Sequence, residues 1–213
     1  AYATLVDAFK AAQNGSVIEI LADVVVDSKW DCRDYAANGS HSQFKESVTI
    51  NGNGFVLTLN QKNSDWASIG LANNSKLVLK NMTIEKTGYG DTSGAWNTHA
   101  IIFTCPVEMN DVTVNNSIAV QAGATLNNVT INEANGYYGL WIEANGQDVT
   151  VNGGSITATN GGRGIKIADQ YIDAPASVKL NVTNSTFNTA KKAVVLVSST
   201  AGAVSTAGVS STA

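Results

Sequence analysis

The sequence predicts an all-β fold in which stacked coils of parallel strands enclose one core, with a short helix at the N-terminal end. Three observations indicate this fold. A six-residue unit recurs along the chain, apolar residues alternate with polar ones around it, and a turn-forming residue stands at its third position. A recurrence at this spacing with variable insertions is typical of a solenoid.

The recurring unit reads apolar, any, Asn/Asp/Gly, any, small, apolar. Its seven copies lie 17 to 31 residues apart and begin at Leu21, Ile50, Leu79, Met109, Leu126, Val151 and Val182. Their third positions are Asp23, Gly52, Asn81, Asp111, Asn128, Gly153 and Asn184. Because Asn, Asp and Gly tolerate a left-handed backbone, we expect the chain to turn at this position in every copy.

A second apolar pair follows most units and predicts a third strand in each coil. The pairs are Ile69/Leu71, Ile101/Phe103, Ile118/Val120, Leu140/Ile142, Ile165/Ile167 and Val194/Leu196. Their period of two is a strand signal. We therefore expect one strand before each turn, one after it and a third at the pair. About seven such coils would form a rod roughly 30–35 Å long at the usual strand spacing.

This pattern resembles the right-handed, single-stranded parallel β-helix of the pectate-lyase-like superfamily, over roughly residues 16–202. The resemblance implies the architecture. It leaves function open, because this architecture hosts lyases, hydrolases, adhesins and viral tail proteins.

The two ends are expected to differ from the coils. Residues 4–14 read as a helix with Thr4 as its N-cap and Gly15 as its stop, so we expect residues 1–15 to cap the open end of the first coil. Residues 203–213 have low complexity and could be a tail, a linker or a partial further coil. No strong cap is visible there, which leaves a longer natural chain or a homo-oligomer open.

Composition limits the functional classes. The chain has 213 residues, a length that is sufficient for one core. Only 14% of the residues are charged and the net charge is −4, which is typical of secreted or surface-displayed solenoids, including those of virions. Its two arginines and mild acidity argue against nucleic-acid binding. No apolar run is long enough to span a membrane. Cys32 and Cys105 could pair only if the Cys32 loop folds over, so two thiols are favoured.

The candidate binding site is a set of aromatic residues in or beside the insertions between second and third strands. Stacking would align these insertions along one edge of the rod. The candidates are Trp30, Tyr35, Trp66, Tyr89, Trp96, His99, Tyr137, Tyr138 and Trp141. Trp141 stands between two inward apolar residues, so we expect its ring on the surface. Exposed rings beside polar groups are typical of a sugar-binding cleft, although each ring could instead cover its own loop.

Evidence for catalysis is weaker. Arg163 and Lys166 slightly resemble the Arg-x-Lys element of polygalacturonase-type hydrolases, but with one residue too many between them and without that family's other elements. With Glu143, Asp169 or Asp173 they could imitate a lyase site, and only then would Ca²⁺ be expected as a cofactor. The simpler interpretation is that both side chains solvate a strand face. No cofactor or metal is otherwise predicted, since no Cys/His cluster has zinc spacing.

The Asn and Asp turn positions predict a ladder of side-chain hydrogen bonds between coils rather than glycosylation sites. The leading hypothesis for function is a non-catalytic extracellular module that binds a polysaccharide or a cell-surface glycan or partner through its aromatic edge. The alternatives are a polysaccharide lyase or glycoside hydrolase, and a structural virion or surface-layer component.

Overall fold

The computed structural model describes residues 1–26, 47–60, 67–69, 76–87, 100–143, 147–167, 178–196 and 204–212. Within these ranges the chain forms one helix and twenty strands, arranged in a 14-stranded and a 6-stranded sheet. Each strand pair in both sheets is parallel and joins one coil to the next. This confirms the predicted parallel β-helix with a short N-terminal helix.

The N-terminal helix, α1 (Leu5–Ala11), caps the first coil. The hydroxyl of Thr4 accepts a hydrogen bond from the backbone N–H of Asp7 at 3.0 Å and donates one to the Asp7 carboxylate at 2.8 Å. The first of these bonds is the one an N-cap residue makes, and the second holds the Asp7 side chain against the cap. Leu5 and Phe9 are buried, so the helix covers the end of the core with its apolar face.

The larger sheet contains the strands on both sides of each turn. Strands before the turn are β1 (Val17–Glu19), β3 (Ser47–Asn51), β10 (Ala124–Asn127), β13 (Asp148–Asn152), β16 (Lys179–Thr183) and β19 (Val204–Ala207). Strands after the turn are β2 (Val24–Val26), β4 (Val56–Asn60), β11 (Thr130–Glu133), β14 (Ser155–Ala158), β17 (Thr186–Thr189) and β20 (Ser210–Thr212). Two strands continue through the turn: β6 (Lys76–Thr87) and β8 (Val107–Asn115).

The smaller sheet contains the third strands and forms another side of the coils. Its strands are β5 (Ala67–Ile69), β7 (Ala100–Phe103), β9 (Ser117–Val120), β12 (Tyr138–Ile142), β15 (Arg163–Ile167) and β18 (Val194–Leu196). They pair in chain order from β5 to β18. The predicted apolar pairs from Ile101/Phe103 to Ile165/Ile167 point into one continuous core.

The strand register stacks the repeated units from the second coil onward. Ile50 lies opposite Leu79, and Leu79 opposite Met109, a column that continues to Val182. The first coil differs from the prediction, because Ile50 stacks on Ile18 and not on Leu21. Leu21 is 78% exposed. The first coil is thus aligned on Ile18, and Leu21, three residues later, lies within a turn that is one residue longer than the unit assumes.

The left-handed turn is confirmed at five of the seven predicted positions, which are Asn81, Asp111, Asn128, Gly153 and Asn184. The prediction is wrong at Asp23 and Gly52, which do not have positive φ angles. The turn after Ile50 has two additional residues, since Leu57 and not Phe55 aligns with Ile84. Asn53 and Gly54 take the positive φ angles there, 51° and 84°. Gly52 is needed for another reason, because a Cβ at this position would lie 2.2 Å from the Cβ of Met82.

The last described residues extend the larger sheet by one more level. β19 pairs with β16 and β20 pairs with β17, in parallel and in register. Of the readings left open for residues 203–213, the described residues fit a further partial coil. No helix within the described ranges is both long and apolar enough to cross a membrane. Cys105 is buried in the core, and Cys32 lies outside the described residues.

Candidate binding site

The structure describes three of the nine aromatic-edge candidates and both catalytic candidates. Tyr137, Tyr138 and Trp141 lie at or near β12, while Arg163 and Lys166 belong to β15. The other six candidates lie outside the described residues: Trp30, Tyr35, Trp66, Tyr89, Trp96 and His99.

Three of the described connections between second and third strands are tight turns that stack on one another. These are residues 134–137, 159–162 and 190–192, which we call the turn edge. The Asn160 amide donates to the carbonyl of Ala134 at 2.6 Å, and the Lys191 N–H donates to the carbonyl of Gly162 at 3.2 Å. Gly136 and Asn160 have positive φ angles of 83° and 51°. The predicted alignment of these connections along one edge therefore holds for these three coils.

The carboxylate of Glu133 organises the first of these turns from inside. Its oxygens accept hydrogen bonds from the backbone N–H groups of Asn135 at 2.5 Å and Tyr137 at 2.9 Å. Burial raises the pKa of Glu133, and these backbone hydrogen bonds partly oppose that shift. Any Cβ on Gly162 would lie 2.9 Å from the same carboxylate, so the next turn needs glycine there. Glu133 thereby fixes the backbone that leads into Tyr138.

Four side chains form a cluster on the outer side of the smaller sheet: Tyr138, Trp141, Arg163 and Lys166, here called the Tyr138 cluster. In the parallel register Tyr138 lies opposite Arg163, and Trp141 opposite Lys166. The Arg163 guanidinium carbon is 5.4 Å from the centre of the Tyr138 ring. The Lys166 ammonium is 3.6 Å from the centre of the Trp141 ring and 4.9 Å from that of Tyr138. Both cations are at cation–π distance.

The prediction that the Trp141 ring is exposed on the surface is wrong. Its side chain points away from the main core, as the alternation predicted, but it is only 3% exposed. It belongs to a separate apolar cluster with Ile102 and Ala119, against which Tyr138 packs partly buried. The ring centres of Tyr138 and Trp141 are 5.8 Å apart in an edge-on arrangement. Tyr138 is thus the more accessible of the two rings, and the buried Trp141 ring packs against the Lys166 ammonium.

A buried carboxylate lies beside this cluster. Glu143 is 6% exposed, and its Oε2 accepts a hydrogen bond from the Gln121 amide at 3.0 Å. Its Oε1 is buried and has no hydrogen-bond partner among the described residues. Burial raises the pKa of Glu143, while Gln121 and the charge of Lys166 act in the opposite direction. Burial also lowers the pKa of Lys166, with Glu143 opposing that shift.

This arrangement gives the two cations defined packing partners. Arg163 and Lys166 do more than solvate a strand face, because they pack on two aromatic rings. Their predicted catalytic role is untested, and Asp169 and Asp173 lie outside the described residues. Within the described ranges, no three Asp, Glu, His or Cys side chains converge as metal ligands. A half-exposed ring with two cations close to it can hold a polar ligand that has an apolar face.

Sequence reasoning missed Glu133 and Gln121 as contributors to the site. Glu133 stands at an inward position of β11, where the pattern predicts an apolar residue, so this exception was a usable signal. Gln121 offered no signal, because its partner Glu143 is distant in the chain and meets it only through the stacking of β9 and β12.

Comparisons with known proteins agree with the fold. Residues 1–117 match the family model described as a pectate lyase-like adhesive domain. The Tyr138 cluster lies beyond the matched residues. No curated protein and no solved structure gave a significant match. Because the matched segment is more than half of the 213 residues, this chain belongs to the pectate lyase-like adhesive domain family.

Proposed function

We propose that this protein is a non-catalytic adhesive module that acts outside the cell or on its surface and binds a glycan or cell-surface partner. The observation that carries the proposal is the Tyr138 cluster, in which a half-exposed ring lies within cation–π distance of both Arg163 and Lys166. The family's description as an adhesive domain supports a role in surface attachment.

The roles within the cluster follow from exposure and contact. Tyr138 is half-exposed and can offer its ring to the apolar C–H face of a sugar. Arg163 and Lys166 can donate hydrogen bonds to its hydroxyl or acidic groups. Trp141 is buried, so its proposed role is to hold the Lys166 side chain rather than to contact the ligand.

The remaining aromatic candidates complete the proposed binding edge. Trp30, Tyr35, Trp66, Tyr89, Trp96 and His99 stay in the proposal as predictions from the sequence. Tyr137 precedes Tyr138 in the same turn and is also half-exposed. Its position makes it the nearest candidate for a second ring contact.

A glycan array followed by titration calorimetry tests this proposal with one variant and one matched control. Tyr138→Ala should weaken binding of the best glycan about tenfold, the effect of losing one ring contact of roughly 1.4 kcal/mol. Tyr2→Ala removes a tyrosine that is 61% exposed near the N-terminal cap, and it should leave affinity unchanged.

Two results would overturn the proposal. One is the absence of binding to any glycan or to glycan-bearing cells. The other is release of unsaturated or reducing ends from an acidic polysaccharide, abolished by Arg163→Ala or Lys166→Ala. That second outcome would assign the cluster to a lyase or hydrolase.

A further inference from the structure

The exposed charges around the turn edge are all positive. Within residues 133–143, 159–167 and 186–194, the charged side chains that reach solvent are Arg163, Lys166, Lys191 and Lys192, here called the basic edge. Lys191 and Lys192 are exposed, while Arg163 and Lys166 are half-exposed. This local excess of positive charge contrasts with the net charge of −4 for the whole chain.

The acidic groups of these segments are withdrawn from the surface. Glu133 is 1% exposed and binds the backbone of its own turn. Glu143 is 6% exposed and accepts a hydrogen bond from Gln121. Among the four cations, the Glu143 charge interacts with that of Lys166. Arg163, Lys191 and Lys192 therefore face solvent without a carboxylate partner among the described residues of these segments.

The stacking of the coils arranges the basic edge along the axis of the rod. Tyr138 lies opposite Arg163, and the pairing of Ile165 with Val194 brings Lys192 opposite Arg163 in the next coil. The Gly164 N–H donates to the carbonyl of Lys192 at 3.0 Å, which fixes this register. Adjacent parallel strands are about 4.8 Å apart, so the backbone positions of Tyr138, Arg163 and Lys192 follow one another at that interval.

Lys191 adds a further cation to the same column. A Cβ on Gly161 would lie 3.8 Å from both Cε and Nζ of Lys191, so this side chain extends across the turn below it. Its ammonium group is thereby directed toward the coil that carries Arg163. Like charges gathered in this way repel one another, and a bound anion removes that repulsion.

We propose that the ligand of this module is an anionic polysaccharide running along the rod axis, with its carboxylate or sulfate groups bound by Arg163, Lys191 and Lys192 beside the Tyr138 ring. This inference rests on the proposed glycan-binding function and specifies its substrate class. Carboxylates and sulfates share the chemistry that matters here, since both accept charge-assisted hydrogen bonds from guanidinium and ammonium groups.

The test measures binding of the full chain to heparin as a sulfated probe, polygalacturonate as a carboxylated probe and dextran as a neutral one. The edge variant carries Arg163→Gln, Lys191→Gln and Lys192→Gln. The control variant carries Lys10→Gln, Lys80→Gln and Lys179→Gln, which removes the same charge from the cap helix and the larger sheet. We expect the edge variant to bind the preferred anionic probe at least about tenfold more weakly, and the control less than about twofold.

The outcomes separate this inference from the proposed function. Binding of heparin but not polygalacturonate would assign a sulfate site, and the reverse a carboxylate site. Binding of dextran or another neutral glycan alone, abolished by Tyr138→Ala, would keep the proposed function and overturn the anionic class. Equal losses in the edge and control variants would also overturn it, because they would report net charge rather than a site. Failure to bind any glycan would overturn both.

Discussion

Lys86 is a charged residue at an inward position of the coil. It lies opposite the fully buried Leu59 in the register of β4 and β6 and is itself only 5% exposed. Burial lowers its pKa from 10.5 to about 8, because an ammonium group loses hydration there. The folded protein therefore releases the Lys86 proton at a lower pH than the unfolded chain does.

This pKa difference predicts a rise in stability at alkaline pH. Between about pH 8 and 10.5 the unfolded chain binds more protons than the folded one, so the free energy of unfolding increases with pH. The contribution of Lys86 should reach about 3 kcal/mol, from roughly 1.4 kcal/mol per pKa unit. Urea unfolding from pH 7 to 10.5 measures it.

The Lys86→Met variant should lack this contribution, since methionine does not titrate. Other groups that titrate in this range are common to both proteins, so the difference between wild type and variant isolates Lys86. Lys80→Met is the matched control, because Lys80 is a half-exposed lysine of the same strand. An equally steep rise in Lys86→Met would contradict the assignment.

Two single residues show what the sequence pattern can predict and what it cannot. Alternation correctly predicted that Trp141 points away from the core, yet the ring is buried. A period of two gives the direction of a side chain but not what covers it. Gly52 was predicted for its backbone freedom, whereas the structure needs it for the close approach of Met82. That contact joins two coils and has no local signal.

At the scale of the element, the predicted ladder of turn residues is present in part. The Asn128 amide donates to the Asp111 carboxylate at 2.6 Å, and the Asn81 amide donates to Asn51 at 3.4 Å. Strand positions beside the turns add further bonds, such as Asn127 to Asn110 at 2.8 Å. The ladder is broader than the turn positions alone predicted, because every outward polar column of a parallel stack repeats at the same spacing.

Asn128 should stabilise its turn in two separable ways, through a φ of 52° and through its bond to Asp111. Asn128→Ala loses both and should lower the free energy of unfolding by about 2 kcal/mol, roughly half from backbone strain and half from the hydrogen bond. Asn128→Gly keeps the permitted backbone, so its cost should be about 1 kcal/mol. Chemical denaturation of both variants measures the difference.

Asn132→Ala is the matched control for this comparison. The Asn132 amide donates to Asn115 at 3.0 Å across the same two coils, but Asn132 has no positive φ. The decrease in the free energy of unfolding caused by Asn132→Ala should therefore be close to that caused by Asn128→Gly. If Asn128→Gly is as unstable as Asn128→Ala, backbone strain does not explain the preference for asparagine.

The elements were predicted best where the coils are regular. From Leu79 onward each unit predicted from sequence coincides with a turn of the larger sheet. The first two turns are longer by one and two residues. The motif therefore misassigned the second turn to Gly52, and in the first coil it matched Leu21, three residues after the stacked Ile18. A six-residue pattern fixes composition at the turn but cannot detect an added residue, which only the strand register reveals.

At the scale of the whole molecule, the fold is a linear stack in which each coil contacts chiefly its neighbours. Strand pairing runs from β1 and β2 through consecutive levels to β19 and β20. The core is continuous from Leu5 to Phe187. In such a stack a local change should weaken nearby coils more than distant ones, because stability is approximately a sum of repeat and interface terms.

Removal of residues 204–213 tests this view of the molecule. β19 and β20 pair with β16 and β17, and the backbone N–H of Asn184 donates to the carbonyl of Ala207 at 2.7 Å. Without that acceptor, hydrogen exchange at the Asn184 amide should become at least about tenfold faster. The Asn128 amide, which donates to Asn152 at 2.8 Å two coils away, should change by less than about twofold. An equal loss of protection at both amides would mean that the coils open together as one cooperative unit, and the neighbour-by-neighbour description of the rod would then be wrong.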